Sequence, residues 1–244
     1  MEVGTVLVEF AIKNMKQESV NNFITEIFKR FWDFVKIGED EELYQKLEHL
    51  IIKVMLTAKN FSELIGLDNF MSLLNYFSNA VKHWLCEVML DYFLWEPGYY
   101  NDEYKIYTIL SISKALHDKI DSMSDISESK RIATKICKMI HKIDFGRDLE
   151  KALKTYTDSR GMFGNLDEVT ETLIHKALKL AMTANKITHG KHDKKTLAFV
   201  KACVAYAHIT IPSLNTSKNQ IQLFLHTAQI ALCNGLIAET DSIL

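Results

Sequence analysis

The chain has 244 residues, 48% hydrophobic and 25% charged, with a formal net charge of −2. That composition supplies a large core and excludes a disordered chain. A near-neutral charge gives no global field for nucleic acid or an anionic membrane.

The opening MEVGTVLVEFAIKNMK carries Glu2 and Glu9 where a signal peptide needs basic residues, so a cytoplasmic protein is expected. Ser19 before Val20-Asn21-Asn22 has helix-start chemistry. From Asp40 to Ala58, Leu43, Leu47, Leu50, Ile51, Val54, Met55 and Ala58 fall on one helical face. No apolar run is long enough to span a bilayer.

Pro97 and Gly98 interrupt the next segment amid Tyr92, Phe93, Trp95, Tyr99 and Tyr100. These rings suit either a peptide-recognition groove or a loop folded onto its own helix pair. The loop is favoured, because aromatic residues dominate core packing. Asp102 and Glu103 then lead a helix with Ile106, Ile109, Leu110, Leu116 and Ile120 on one face.

A break at Asp144–Arg147 precedes a helix ending at Gly161 and Gly164, which suit a left-handed stop. Asn165, followed by Asp167 and Glu168, reads as the next helix start. Leu166, Val169, Leu173, Ala177, Leu180 and Ala181 repeat the helical spacing. After a charged loop at His189–Asp193, Leu197, Val200 and Val204 extend helical spacing into the β-branched VAYAHITI run, and Pro212 stops it. This helix is apolar nearly all round, so residues Leu197 to Ile211 are expected to be core.

The segments add up to an all-α, HEAT-like α-solenoid of antiparallel helix pairs, about ten helices with a period of roughly 40 residues. No linker divides residues 1–244, so one solenoid segment is expected. Cys86, Cys137, Cys203 and Cys233 form no CxxC pair and read as reduced core thiols.

Candidate chemistry is sparse. His189, His192 and Asp193 could approach a metal, but no fourth ligand is evident, and Lys186, Lys191, Lys194 and Lys195 repel a dication. No metal and no cofactor are therefore expected. The same lysines could meet an acidic partner segment, although such clusters are common on solvated helix ends. Arg147 could brace a neighbouring carbonyl or carboxylate while Asp148 supports a helix start; the alternative makes the two an exposed contact pair. Arg160 could brace similarly. There is no GxSxG elbow, GxGxxG motif or P-loop. The partner-binding candidates are thus Arg147, Asp148, His189, Lys191, His192, Lys194 and Lys195. An all-α enzyme or small-ligand module using His189 and His192 is the competing possibility.

The blocks Phe145–Asp148, Arg160–Phe163 with Asn165-Leu166, Lys195–Val200, Ala202–Tyr206 and Ile209–Leu214 are long and idiosyncratic. With their surroundings they resemble the vacuolar-protein-sorting-35-like α-solenoid family of the Retriever complex, related to the large retromer subunit. The resemblance weakens but continues through Leu47–Ile65, Thr108–Asp121 and Leu223–Ala231. It implies a non-catalytic scaffold, peripheral on endosomes, that recycles transmembrane cargo to the plasma membrane. Its implied partners are metallophosphoesterase-fold and arrestin-like subunits and the coiled-coil proteins of the Commander assembly, with cargo arriving through a sorting nexin adaptor. Nucleic acid is not implied, and membrane association is indirect. The chain is far shorter than the family's solenoid and resembles a middle-to-C-terminal fragment, which would expose apolar faces near Val6–Ala11 and Leu232–Ile237.

Overall fold

The computed structural model describes residues 61–65, 79–120 and 126–244, with isolated positions before residue 75. The expected start at Ser19, the face at Val6–Ala11 and residues 40–58 (apart from His49 and Ile52, both helical) lie outside the described residues. Nine α-helices occur among the described residues: α1 (Phe61–Ile65), α2 (Asn79–Trp95), α3 (Glu103–His117), α4 (Ile126–His141), α5 (Leu149–Phe163), α6 (Asp167–Thr188), α7 (Lys194–Thr210), α8 (Ser217–Cys233) and α9 (Ile237–Ile243). A 3-10 turn at Ile211–Ser213 carries Pro212 in its first residues. There is no β-strand among them, so VAYAHITI is helical as expected. No helix among the described residues is long and apolar enough to cross a membrane.

The chain divides into two compact units, residues 1–97 with 103–116, and residues 98–102 with 117–244. In the first, Phe61 is fully buried and meets the Phe93 ring edge-on at 5.3 Å. The Phe61 N–H donates to the Glu96 carboxylate, and Lys105 Nζ donates to Ser62 Oγ at 2.8 Å. Ile106, Ile109, Leu110 and Leu116 of α3 are buried, as their spacing predicts. Trp95 remains 87% exposed.

In the second unit α6 is the central element, touching α4, α5, α7 and α8, while α8 carries α9. Ile174, Leu178, Ala181, Val200, Cys203, Val204 and Ile230 form its core. Each fully buried Ile, Leu or Val among them contributes about 1.5–3 kcal/mol. α4 shows the pattern most clearly: Ile132, Ala133, Ile136, Met139 and Ile140 face inward, and Lys130, Arg131 and Lys138 face outward. Tyr100 is buried and pairs with Ile143 through Tyr100 N to Lys142 O (2.8 Å) and Asp144 N to Tyr100 O (3.0 Å). Tyr99 stays exposed.

Two sets of contacts fix the spacing of the helix pairs. The Asn215 N–H and side-chain amide both donate to the Asp167 carboxylate at 3.0 Å, tying the start of α8 to the start of α6. At the other end, Asn185 Nδ2 donates to Cys233 O at 3.0 Å. Joined start to start and end to end, α6 and α8 run parallel, and α7 returns between them. Helix pairs packed in chain order in this way make an α-solenoid. Asn165 also faces His117 Nε2, the same 48 residues away as Asp167 from Asn215. Glycines with left-handed backbone recur at 98, 146, 190 and 235, one per helix pair. Their spacings of 48, 44 and 45 residues define a somewhat longer period than the sequence suggests.

Several local expectations change. Gly161 lies inside α5, and Gly164 is right-handed at φ −65°. The left-handed stop is instead at the end of α6, where His189 (φ 51°) and Gly190 (φ 75°) return N–H groups to Lys186 O and Asn185 O. Asn165 caps nothing; Leu166 holds the α6 N-cap position without a side-chain bond. α7 is buried on one side only. Ala198, Ala202, Ala205 and Ile209 form an exposed stripe, because apolar residues make up much of a folded protein's surface and need not be core. Cys86 and Cys203 are buried, and burial pushes the Cys203 thiol up to about 12. Cys137 is half-buried, and Cys233 is exposed.

Candidate functional site

The turn from Asp144 to Asp148 places the first candidates. Asp144 Oδ1 accepts from Gly146 N–H at 2.7 Å, and Gly146 adopts the left-handed conformation (φ 63°) that the turn requires. Asp148 then caps α5, its Oδ1 accepting from Lys151 N–H at 3.1 Å. That is the helix-start role expected from sequence. Arg147 behaves differently. Its side chain is exposed and makes no hydrogen bond or ion pair among the described residues, so the expected brace is absent. The turn aims Arg147 outward because Asp148 alone satisfies the helix start. Arg160, in the last turn of α5, is half-buried near the Tyr206 phenol.

The loop after α6 places the remainder. His189 is exposed, and its backbone forms the helix stop. His192 Nε2 lies 3.0 Å from Asn234 Oδ1, and Nδ1 lies 3.4 Å from Thr188 Oγ1. Asp193 caps α7, accepting from Thr196 N–H at 2.7 Å and from its hydroxyl at 2.8 Å. The Thr196 N–H, then its hydroxyl, hold the Asp193 carboxyl below the ordinary value of 3.8. The described residues hold no group of three or more metal-ligating side chains. Lys191 and Lys194 are exposed beside this cap.

Arg147, Asp148 and Lys195 come together in one cleft of about 530 Å³, with Glu150 on its rim. Leu149, Ala184, Ile187 and Phe199 supply its apolar wall, and Ile187 is 58% exposed. A neighbouring hollow of about 430 Å³ between α5 and α7 continues past Leu153, Ala198 and Ala202. Lys195 Nζ and Glu150 Oε1, 3.3 Å apart, join α5 to α7 where the two hollows share residues. Both side chains are mostly exposed, so this pair contributes at most about 1 kcal/mol and is easily exchanged for a partner's charge. His189, Lys191, His192 and Lys194 do not line the cleft. An apolar trough rimmed by exchangeable charge is suited to gripping a protein segment.

Ile187 and Phe199 are among the cleft residues that sequence reasoning missed. Ile187 had a signal: it is a bulky aliphatic in the polar last turn of α6, where nothing local asks for one.

The match to known proteins extends over the whole chain. Residues 1–244 fit the family model described as the VPS35L C-terminal domain. The human protein named VPS35 endosomal protein-sorting factor-like is 33% identical over 241 residues, covering 97% of this chain and 24% of that protein. Its Dictyostelium discoideum counterpart is 28% identical over 244 residues, 100% of this chain and 24% of that protein. The Drosophila melanogaster one is 33% identical over 204 residues, 83% of this chain and 21% of that protein. The chain thus spans about a quarter of the length of these curated relatives. With residues 1–244 fitting one family model, and the described residues folding as helices, the chain belongs to the VPS35L C-terminal domain family.

Proposed function

We propose that this chain is a non-catalytic scaffold: one continuous α-solenoid segment of the large subunit of a Retriever-type assembly. It acts in returning transmembrane cargo from endosomes to the plasma membrane. The observation that carries this is the fit of residues 1–244 to the VPS35L C-terminal domain, whose relatives are named as endosomal protein-sorting factors. In this role the chain is cytoplasmic and peripheral on endosomes, touches membrane only indirectly and does not bind nucleic acid. Its partners are the metallophosphoesterase-fold and arrestin-like subunits and the coiled-coil Commander proteins.

The α5–α7 cleft is the contact surface we assign to a partner. Arg147 is uncommitted there, and Lys195 is held only by an exposed ion pair, so an acidic segment could take both. The competing enzyme or ligand module needs His189 and His192 to be free for chemistry. His192 is instead engaged by Asn234, which supports the scaffold.

The test is titration with a purified metallophosphoesterase-fold subunit, followed by calorimetry. The double substitution Arg147→Glu and Lys195→Glu is expected to weaken binding about tenfold with helicity unchanged. Stoichiometric zinc or iron that survives dialysis and disappears in His189→Ala/His192→Ala would overturn the scaffold in favour of the enzyme.

A further inference from the structure

A separate hollow of about 360 Å³ lies between the turn after α4 and helices α5 and α6, lined in part by Tyr99, His141, Asp144, Tyr156, Lys176 and Lys179. Lys176 is half-buried, and its Nζ donates to His141 O at 3.3 Å, filling an acceptor left open at the end of α4. Lys179 stands three residues along α6, on the same face. It is exposed and has no side-chain hydrogen bond or ion pair among the described residues.

Charge in the hollow is only partly compensated. Two ammonium groups face one carboxylate, and Asp144 already spends an oxygen on the Gly146 N–H. Burial, then Lys179, presses the Lys176 ammonium below its ordinary value of 10.5, with Asp144 opposing. Burial, then Lys176 and Lys179, does the same to the His141 imidazole. The lysines therefore weigh on their surroundings more than Asp144 relieves them. Burial, then Asp144, pushes the Tyr156 phenol up to about 12, so it stays protonated and able to donate. Tyr99, exposed among the lining residues, offers a ring face. The volume falls at the lower end of the range of small-molecule sites.

We propose that this hollow binds a phosphate monoester on a small polar carrier, with Lys176 and Lys179 on the phosphate oxygens and Tyr156 donating beside them. The anion supplies the counter-charge the hollow lacks, and the carrier lies toward Tyr99. The carrier is either a free molecule or the headgroup of a lipid; the phosphate chemistry is common to both. This site shares only Leu149 with the residues of the main cleft, and it stands or falls separately from the scaffold role.

The experiment has two arms on the 244-residue chain. Calorimetry follows inositol monophosphate, and flotation follows phosphatidylcholine vesicles with and without a phosphatidylinositol phosphate. Saturable binding is expected, weakened about tenfold by Lys179→Gln and unchanged by Lys138→Gln, which removes an exposed charge from the last turn of α4. Because Lys176→Met also opens the end of α4, it is read beside a thermal melt; Lys179→Gln carries the result if that variant unfolds. Binding of the soluble monoester without flotation assigns a free molecule. Flotation that depends on Lys179 assigns a lipid headgroup, and either outcome supports the site. Absence of binding in both arms, equal losses in Lys179→Gln and Lys138→Gln, or a preference for a phosphoserine peptide over inositol monophosphate overturns it.

Discussion

His192 Nε2 lies 3.0 Å from Asn234 Oδ1, so a loop residue after α6 is held by the buried amide that closes α8. The same amide donates to Ile230 O at 2.7 Å, leaving it little freedom. Removing either partner strands a polar atom out of water. His192→Ala and Asn234→Ala are each expected to cost about 1–2 kcal/mol in urea melts. Their double-mutant cycle should show a coupling of about 0.5–1.5 kcal/mol. Strict additivity would mean that the imidazole is not held there.

Arg147 and Asp148 are adjacent yet have opposite commitments. Asp148→Ala removes the α5 cap and is expected to destabilise by about 1 kcal/mol. Arg147→Ala touches no internal partner and should stay within about 0.5 kcal/mol of the parent. A comparable loss of melting temperature in both variants would show that Arg147 braces the fold after all.

Gly161 and Gly190 make a second contrasting pair. Gly161 lies inside α5, and a Cβ there meets nothing within 4 Å. Gly161→Ala is therefore expected to stabilise by about 0.5–1 kcal/mol. Gly190 sits at φ +75°, which an L side chain rarely adopts. Gly190→Ala should destabilise by about 1 kcal/mol or more. Thermal unfolding of the two variants moving in the same direction would contradict these backbone assignments.

The His175 and His226 rings sit 5.6 Å apart, joining α6 to α8. Burial, then His175, holds the His226 imidazole below its ordinary 6.5. The folded state therefore binds protons less readily than the unfolded chain. His226 contributes no penalty above pH 6.5, and stability is lost as pH falls below that value toward the depressed folded pKa. His226→Gln should flatten that part of the stability–pH curve. A curve of unchanged slope between pH 7 and 5 (a window set by the ordinary histidine value) would refute the linkage.

What could be read from sequence was chiefly what is local. Asp148 as a helix start, the helical VAYAHITI run and the inward face of α3 depend on residues within a turn or two of each other. Asn165 shows where that stops. Its helix-start chemistry is plain, but His117, forty-eight residues earlier, takes its side chain. Gly164 fails for another reason: glycine permits a positive φ without requiring one, and the chain here stays right-handed. The exposed alanines of α7 look like core because alanine is apolar, and composition does not say which face meets water. Arg147, Asp148 and Lys195 share a cleft because α5 and α7 touch beside α6, a tertiary fact. His189, Lys191, His192 and Lys194 looked equally eligible, yet the loop spends His189 on the stop and His192 on Asn234.

The pairing of Asp167 with Asn215 and of Asn185 with Cys233, both across 48 residues, limits how such a chain can change length. One residue added inside α6 would rotate everything after it by about 100°. Asp167 would then lose Asn215, while Asn185 and Cys233, both beyond the insertion, turned together. A whole helix pair added or removed would leave both ends meeting their counterparts. Chains built this way grow and shrink in whole pairs, and the span of each long helix is matched to its counterpart in the next pair.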